Sequence, residues 1–173
     1  METVMAQFRV YFSTLGEHNL SFGHWLLKKI ISCCTGSRLV HVAIGNEKVV
    51  LSVSLGGISY WPKASYEWAF PGVTHYVDLE GDPVDFEMFK SGVGQPRQYW
   101  PTLWRWLRRG QTSLTADCLC TTAVVLWCAG VAIPPDIVSP AQLLEWFKAH
   151  GYTVQTHRPR LPLGCRGADS AAG

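Results

Sequence analysis

The chain has 173 residues, 47% of them hydrophobic and 16% charged, and a net charge of +2. That length fits one domain with an ample core, and a charge so close to neutral is too weak to imply a nucleic-acid partner, so none is expected. The N-terminus METVMAQFRV has no basic stretch leading into an apolar one, so no signal peptide is expected, and the longest apolar run, AVVLWCAGVAIPP, is too short to span a bilayer.

An intracellular product is therefore expected, with most of its six cysteines as free thiols. The adjacent pair Cys33-Cys34 matches no zinc spacing and is poorly placed to bond to itself. Beside Lys28-Lys29 it reads either as buried core thiols or as a site of acylation. Eight tryptophans are many for this length, and they read either as a Trp-rich core or as rings exposed toward a partner, a substrate or a membrane surface.

In chain order, FRVYFST (8–14) predicts a first strand. SFGHWLLKKIISCCTG (21–36) predicts a helix capped by Ser21 and ended by Gly36. RLVHVAI (38–44) and KVVLSVSL (48–55), separated by a short polar turn, predict a β-hairpin. GGISYWP (56–62) reads as a short third strand or a turn, SYEWAF (65–70) as a helical turn, and GVTHYVDLEG (72–81) as a strand. PVDFEMFKSG (83–92) starts like a helix. The Trp- and Arg-rich QYWPTLWRWLRRG (98–110) reads either as a helix with Trp packed inward or as a surface for a lipid head group, a glycan or a protein partner, so peripheral membrane contact stays open.

DCLCTTAVVLWCAG (117–130) predicts a buried helix, with Cys128 near its end in the core. SPAQLLEWFKAHG (139–151) carries a Ser cap, a Pro in the first turn and a Gly stop. YTVQTHR (152–158) reads as a final strand, and residues 159–173 drift to a Pro-, Gly- and Ala-rich tail. Strands first and helices later give an α+β domain over 1–158 with an antiparallel sheet.

The chemistry gathers around two segments. Cys118 falls in the first turn of its predicted helix, where free N–H groups favour a thiolate, and Thr115 or Asp117 can cap the same end. In the hairpin, His41 shares a strand face with Leu39 and Ala43. A two-residue loop at Asn46-Glu47 would pair Gly45 with Lys48 and set His41 directly across from Ser52, whose hydroxyl could orient the imidazole. His75 is the runner-up base, while His18, His24, His150 and His157 read as loop or surface residues. Cys118-x-Cys120 is a poor zinc spacing, and neither a metal nor another cofactor is expected.

HVAIGNEKVVLSVSLGGISYWP resembles the histidine motif of the NlpC-type cell-wall peptidases, in which a His-Val-Gly-Ile strand, a Gly-Asn turn and a second strand lead to Gly-Gly-Val. DCLCTTAVVLWCAGVAIPP is similar to that superfamily's nucleophile helix, opened by Asp-Cys and closed by Ala-Gly; Gly130 stands where the pattern places it if Cys118, not Cys120, is the nucleophile. The histidine hairpin precedes the cysteine helix, as in the circularly permuted branch of this papain-like superfamily, which includes many small phage and bacterial proteins. GHWLLKKIISCCTGSRLVHVAI resembles that branch's lead-in and VSPAQLLEWF its closing helix, so the likeness covers roughly residues 8 to 150.

The resemblance implies a papain-like fold with a central antiparallel sheet against the nucleophile helix. It also implies a cysteine hydrolase in which Cys118 attacks an amide carbonyl and His41 shuttles the proton, acting on a peptide of peptidoglycan or of protein, in a bacterial host cytoplasm or a virion. Two departures stand out. Leu119-Cys120 replaces the usual Ser-Glu, and the third catalytic position falls at Leu51 or Ser52. The site is then a Cys118–His41 dyad with Ser52 as a weak third partner, a triad completed from elsewhere, or an inactive binding module with a Trp-rich surface. A lipid acyltransferase or thioesterase is a further alternative, since relatives in the broader superfamily act on lipids.

Overall fold

A computed structural model describes residues 5–14, 29, 32, 37–54, 57–69, 72–92, 116–137 and 139–156. The predicted helix at 21–36, of which Lys29 and Ser32 are described and helical, otherwise lies outside these residues, as do the Trp/Arg segment 98–110, Thr115, His18, His24, His157 and the tail at 159–173.

The architecture is α+β. Six antiparallel strands form one sheet: β1 (Ala6–Thr14), β2 (Leu39–Gly45), β3 (Val49–Ser54), β4 (Gly57–Pro62), β5 (Val73–Gly81) and β6 (Val154–Thr156), in the order β4-β3-β2-β1-β5-β6. Helix α1 (Lys63–Ala69) follows β4, and a 3₁₀ helix (Phe86–Gly92) follows β5. Helices α2 (Ala116–Cys128) and α3 (Pro140–Ala149) pack on one face of the sheet, α2 over β2 and β3, α3 over β2 and β6. Among the described residues no helix is long and apolar enough to cross a membrane.

Strand alternation sorts the core into two faces. Phe8, Val10 and Phe12 of β1 and Val42 and Ile44 of β2 point to the helices, where they meet Leu126 of α2 and Leu143 and Phe147 of α3. Each such fully buried apolar side chain contributes about 1.5–3 kcal/mol. Tyr11, Ala43, Val50 and Val73 point the other way, onto Tyr66 of α1.

Both long helices end as the sequence predicts, and for one reason. At α2, Gly130 takes φ +81°, Val131 N–H reaches Leu126 O at 2.8 Å and Gly130 N–H reaches Trp127 O at 3.0 Å, a Schellman motif that a side chain at 130 would strain. Helix α3 closes identically, with Tyr152 N–H on Phe147 O at 3.0 Å, and opens with Ser139 Oγ accepting from Gln142 N–H at 3.2 Å. The free end of α2 is then tied to β5: Asp82 N–H donates to Ala129 O at 3.0 Å, and a Cβ on Gly81 would come within 2.4 Å of that oxygen.

Three expectations need correction. The segment at 65–70 belongs to a full helix, Lys63–Ala69, with Tyr66 as its inward anchor. Helix α2 is not buried all round: Cys120 and Val124 are exposed and Trp127 is 73% exposed, on a face turned from the sheet, and Cys128 is only partly covered. The hairpin register also differs. Gly45 pairs with Val50 and Ala43 with Ser52, so Ser52 is not directly opposite His41. The cause is Asn46. Its Oδ1 accepts from Lys48 N–H and Val49 N–H, both at 2.9 Å, while its own N–H reaches Val49 O at 2.9 Å. This Asx turn moves the tip to Glu47-Lys48 and shifts the pairing by two, which keeps every side chain on its face.

Candidate active site

Because the shift is even, Ser52 remains on the face of His41, one diagonal step along the neighbouring strand. The contact survives: His41 Nε2 lies 2.9 Å from Ser52 Oγ. The imidazole is partly exposed, whereas Ser52 is buried. Leu51, the other occupant considered for the third position, points to the helix-side core. β2 is irregular here, since Ser13 of β1 pairs with His41 but Thr14 pairs with Leu39, leaving Val40 as an extra residue. Such bulges turn a strand locally and re-aim the side chains beside them.

Cys118 is the third residue of α2, within the first turn, and is 7% exposed. Its backbone N–H is one of those an α-helix leaves without an intrahelical partner. Among the described residues Cys118, the exposed Cys120 and Cys128 form no disulfide. Cys118 packs with the helix-side core but also acts on the other side of the sheet: a charge on it would raise the pKa of the Tyr66 phenol.

Tyr66 is the residue that joins these groups. It is fully buried, its ring lies 5.2 Å from that of Tyr11, and burial pushes its phenol well above the ordinary tyrosine value. Ser52 and Ser13, whose hydroxyls lie on the same face of the sheet, act in the opposite sense. Ser52 therefore touches His41 and bears on the Tyr66 phenol, as a charge on Cys118 also would. The structure thus brings His41 and Ser52 into direct contact, whereas Cys118 packs with the helix-side core, on the other face of the sheet from the strand positions of His41 and Ser52, and bears electrostatically on Tyr66.

Two residues of this cluster carry no role in the sequence reading. Tyr66 sits in a stretch that reads only as a helical turn. Ser13 is a hydroxyl residue in an otherwise apolar strand, and its parity with Tyr11 was the available signal. His75, the runner-up base, lies on β5 with Nδ1 3.0 Å from Thr74 Oγ1, away from the strands that carry α2. His150 is exposed at the end of α3, stacked 4.3 Å from Trp146, with Nδ1 2.8 Å from Trp146 O.

Farther along the same face lies a second polar group. Arg9 makes a two-pronged bond with Asp78 at 2.6 and 3.0 Å, reaches Glu67 at 3.1 Å and lies 4.1 Å above the Tyr76 ring. Tyr11 donates to Glu67 at 2.9 Å. Every charge here is paired, so this group reads as the fastening of α1 to the sheet. Among the described residues no three His, Cys, Asp or Glu side chains converge to hold a metal.

No family model matches the chain, and neither the curated proteins nor the solved structures yield a match.

Proposed function

We propose that the chain is a cysteine hydrolase of papain-like type, in the permuted strand order, that cleaves an amide bond in a peptide of peptidoglycan or of protein. The single observation that carries this reading is the 2.9 Å contact between His41 and Ser52. The reading asks for an imidazole on this strand oriented by the next strand, and the contact forms although the register differs from the expected one. A thiol in the first turn of a helix packed over the same two strands supports the reading of Cys118 as the nucleophile.

The chemistry runs in two steps. Cys118 gives its proton to His41, and the thiolate attacks the carbonyl carbon; the C–N bond breaks as His41 protonates the departing amine, leaving a thioester. Water, losing a proton to His41, then attacks the thioester and frees the acid and the thiolate. The Cys118 backbone N–H is positioned by type to hold the oxyanion. A phage or bacterial setting fits the resemblance, in a host cytoplasm or a virion.

A second reading, a binding module that has lost catalysis, draws on the serine at the third position and on Trp68 and Trp127, 82% and 73% exposed. Turnover separates the two. On muropeptide and peptide-amide panels the wild type should release free amine, Cys118→Ala should release none, and His41→Ala should lose about 10²–10⁴-fold. Equal binding of a muropeptide by all three proteins with no amine released would favour the binding module.

A further inference from the structure

Resting on the reading of His41 as the base, we propose that Ala43 is the residue that positions it: a side chain no larger than a methyl at 43 leaves the space through which the imidazole reaches Ser52, and so sets which hydroxyl holds the ring.

A choice exists because His41 has two hydroxyl neighbours on its face of the sheet. Ser13 stands directly opposite on β1, is 7% exposed, and its Oγ has no hydrogen-bond partner among the described residues. Ser52 on β3 stands opposite Ala43 and is a diagonal neighbour of His41. Residues directly opposite have Cβ atoms about 4.5–5.5 Å apart, whereas diagonal neighbours are separated by about 7–8 Å. Yet it is the diagonal hydroxyl that lies 2.9 Å from His41 Nε2. Proximity in the register therefore does not select the partner.

The row beside His41 does. Residues two apart on a strand share a face, so Ala43 is the next side chain along β2 on the side of His41. In that row Tyr11 of β1 pairs with Ala43, and Ala43 pairs with Ser52 of β3. Tyr11 fills the β1 end: it is buried, its ring lies 5.2 Å from that of Tyr66, and its hydroxyl donates to Glu67 at 2.9 Å. Ala43 and Ser52 are the two small residues of the row. For Nε2 to meet Ser52 across a diagonal, the ring must lean along β2, past the Ala43 methyl and away from Tyr11.

A β-branched side chain at 43 would set a γ-carbon in that path. Strand propensity by itself favours Val over Ala, so the small residue answers to what surrounds it: the imidazole on one side and the cluster of Tyr11, Val50, Tyr66 and Val73 on the other. For the reaction, the lean fixes the direction of the imidazole, which spares the base a search among rotamers before each proton transfer.

The test is the set of nuclear Overhauser contacts made by the His41 ring protons. In the wild type the ring should contact both the Ala43 methyl and the Ser52 Hβ protons, and Ala43→Gly should keep the Ser52 contact. Ala43→Val should lose it, move the His41 titration midpoint to that of Ser52→Ala, and slow Cys118 alkylation by the same factor as Ser52→Ala; adding Ala43→Val to Ser52→Ala should change neither further. A purely structural role at 43 would lower stability and leave the His41 titration of the folded fraction unmoved. A wild-type ring without contact to the Ala43 methyl, or a folded Ala43→Val that keeps the Ser52 contact and the wild-type midpoint, would overturn the inference while leaving the hydrolase reading in place. Should Ala43→Val fail to fold, the wild-type contacts and Ala43→Gly decide. Loss of the Ser52 contact with Cys118 alkylation unmoved would instead count against His41 as the base and leave the path of the ring as stated.

Discussion

The two faces of the sheet are built for different work. The helix side is an apolar seam in which Phe12, Ile44, Leu126, Leu143 and Phe147 are almost wholly buried. The opposite side buries hydroxyls: Ser13, Ser52, Tyr11 and Tyr66, with His41 at the edge and the Arg9–Glu67–Asp78 group beyond. A single sheet can support both because successive residues of one strand serve opposite faces. β2 shows it most plainly, with Val42 and Ile44 holding α2 and α3 while His41 and Ala43 look away. The lesson is that the helix side fixes where the thiol's helix sits, and the hydroxyl side fixes how the imidazole is held.

The contrast predicts where each face breaks. Phe147→Ala removes a wholly buried ring that meets Phe12 edge-on, and should cost about 3–5 kcal/mol in denaturant unfolding with the His41–Ser52 contact kept in the folded fraction. Loss of the His41–Ser52 contact in that variant would show that the faces are not separable.

The hydroxyl face should fail in alkali. Burial raises the phenol of Tyr66, and burial together with Glu67 raises that of Tyr11, so the native state holds protons that the unfolded chain releases near pH 10. The unfolded state then binds fewer protons, and stability falls as pH rises above about 10, by about 1.4 kcal/mol per pH unit for Tyr66 and in the same direction for Tyr11. Tyr66→Phe should flatten that slope; an unaltered slope would mean that other groups govern it.

A smaller effect sharpens the coupling between the faces. Gly81→Ala would thrust a methyl against Ala129 O and push the end of α2 off β5. A loss of about 1–3 kcal/mol is expected in thermal unfolding, with Cys118 reactivity altered because its helix has moved.

Much of this was legible in the sequence, and the reasons differ by element. α3 announced both ends, since Ser139, Pro140 and Gly151 have local jobs that no distant contact can override. The strands at 8–14 and 72–81 were legible from alternation, and the sheet from the sequence of elements. The hairpin register was not, because it depends on which residue closes the turn. The Asn46 carboxamide captured two N–H groups and moved the tip by one residue, yet the His41–Ser52 contact survived since parity was preserved. The exposed face of α2 was hidden because Val124 and Trp127 are apolar, and periodicity cannot say which apolar residue faces water. Tyr66 and Ser13 were hidden for a different reason: their burial on the His41 face arises only where separate segments meet, and one sequence does not reveal that meeting.

The central claim is that His41 activates Cys118. The direct measurement is site-resolved alkylation of the wild type and His41→Ala across pH 5 to 9, read by peptide mass spectrometry, with the exposed Cys120 on the same helix as internal reference. The account predicts that Cys118 reacts well below the midpoint of an ordinary thiol, about 8.5, and below Cys120, and that His41→Ala returns Cys118 to that midpoint or above. Identical profiles for Cys118 in the two proteins, at or above the Cys120 midpoint, would contradict it.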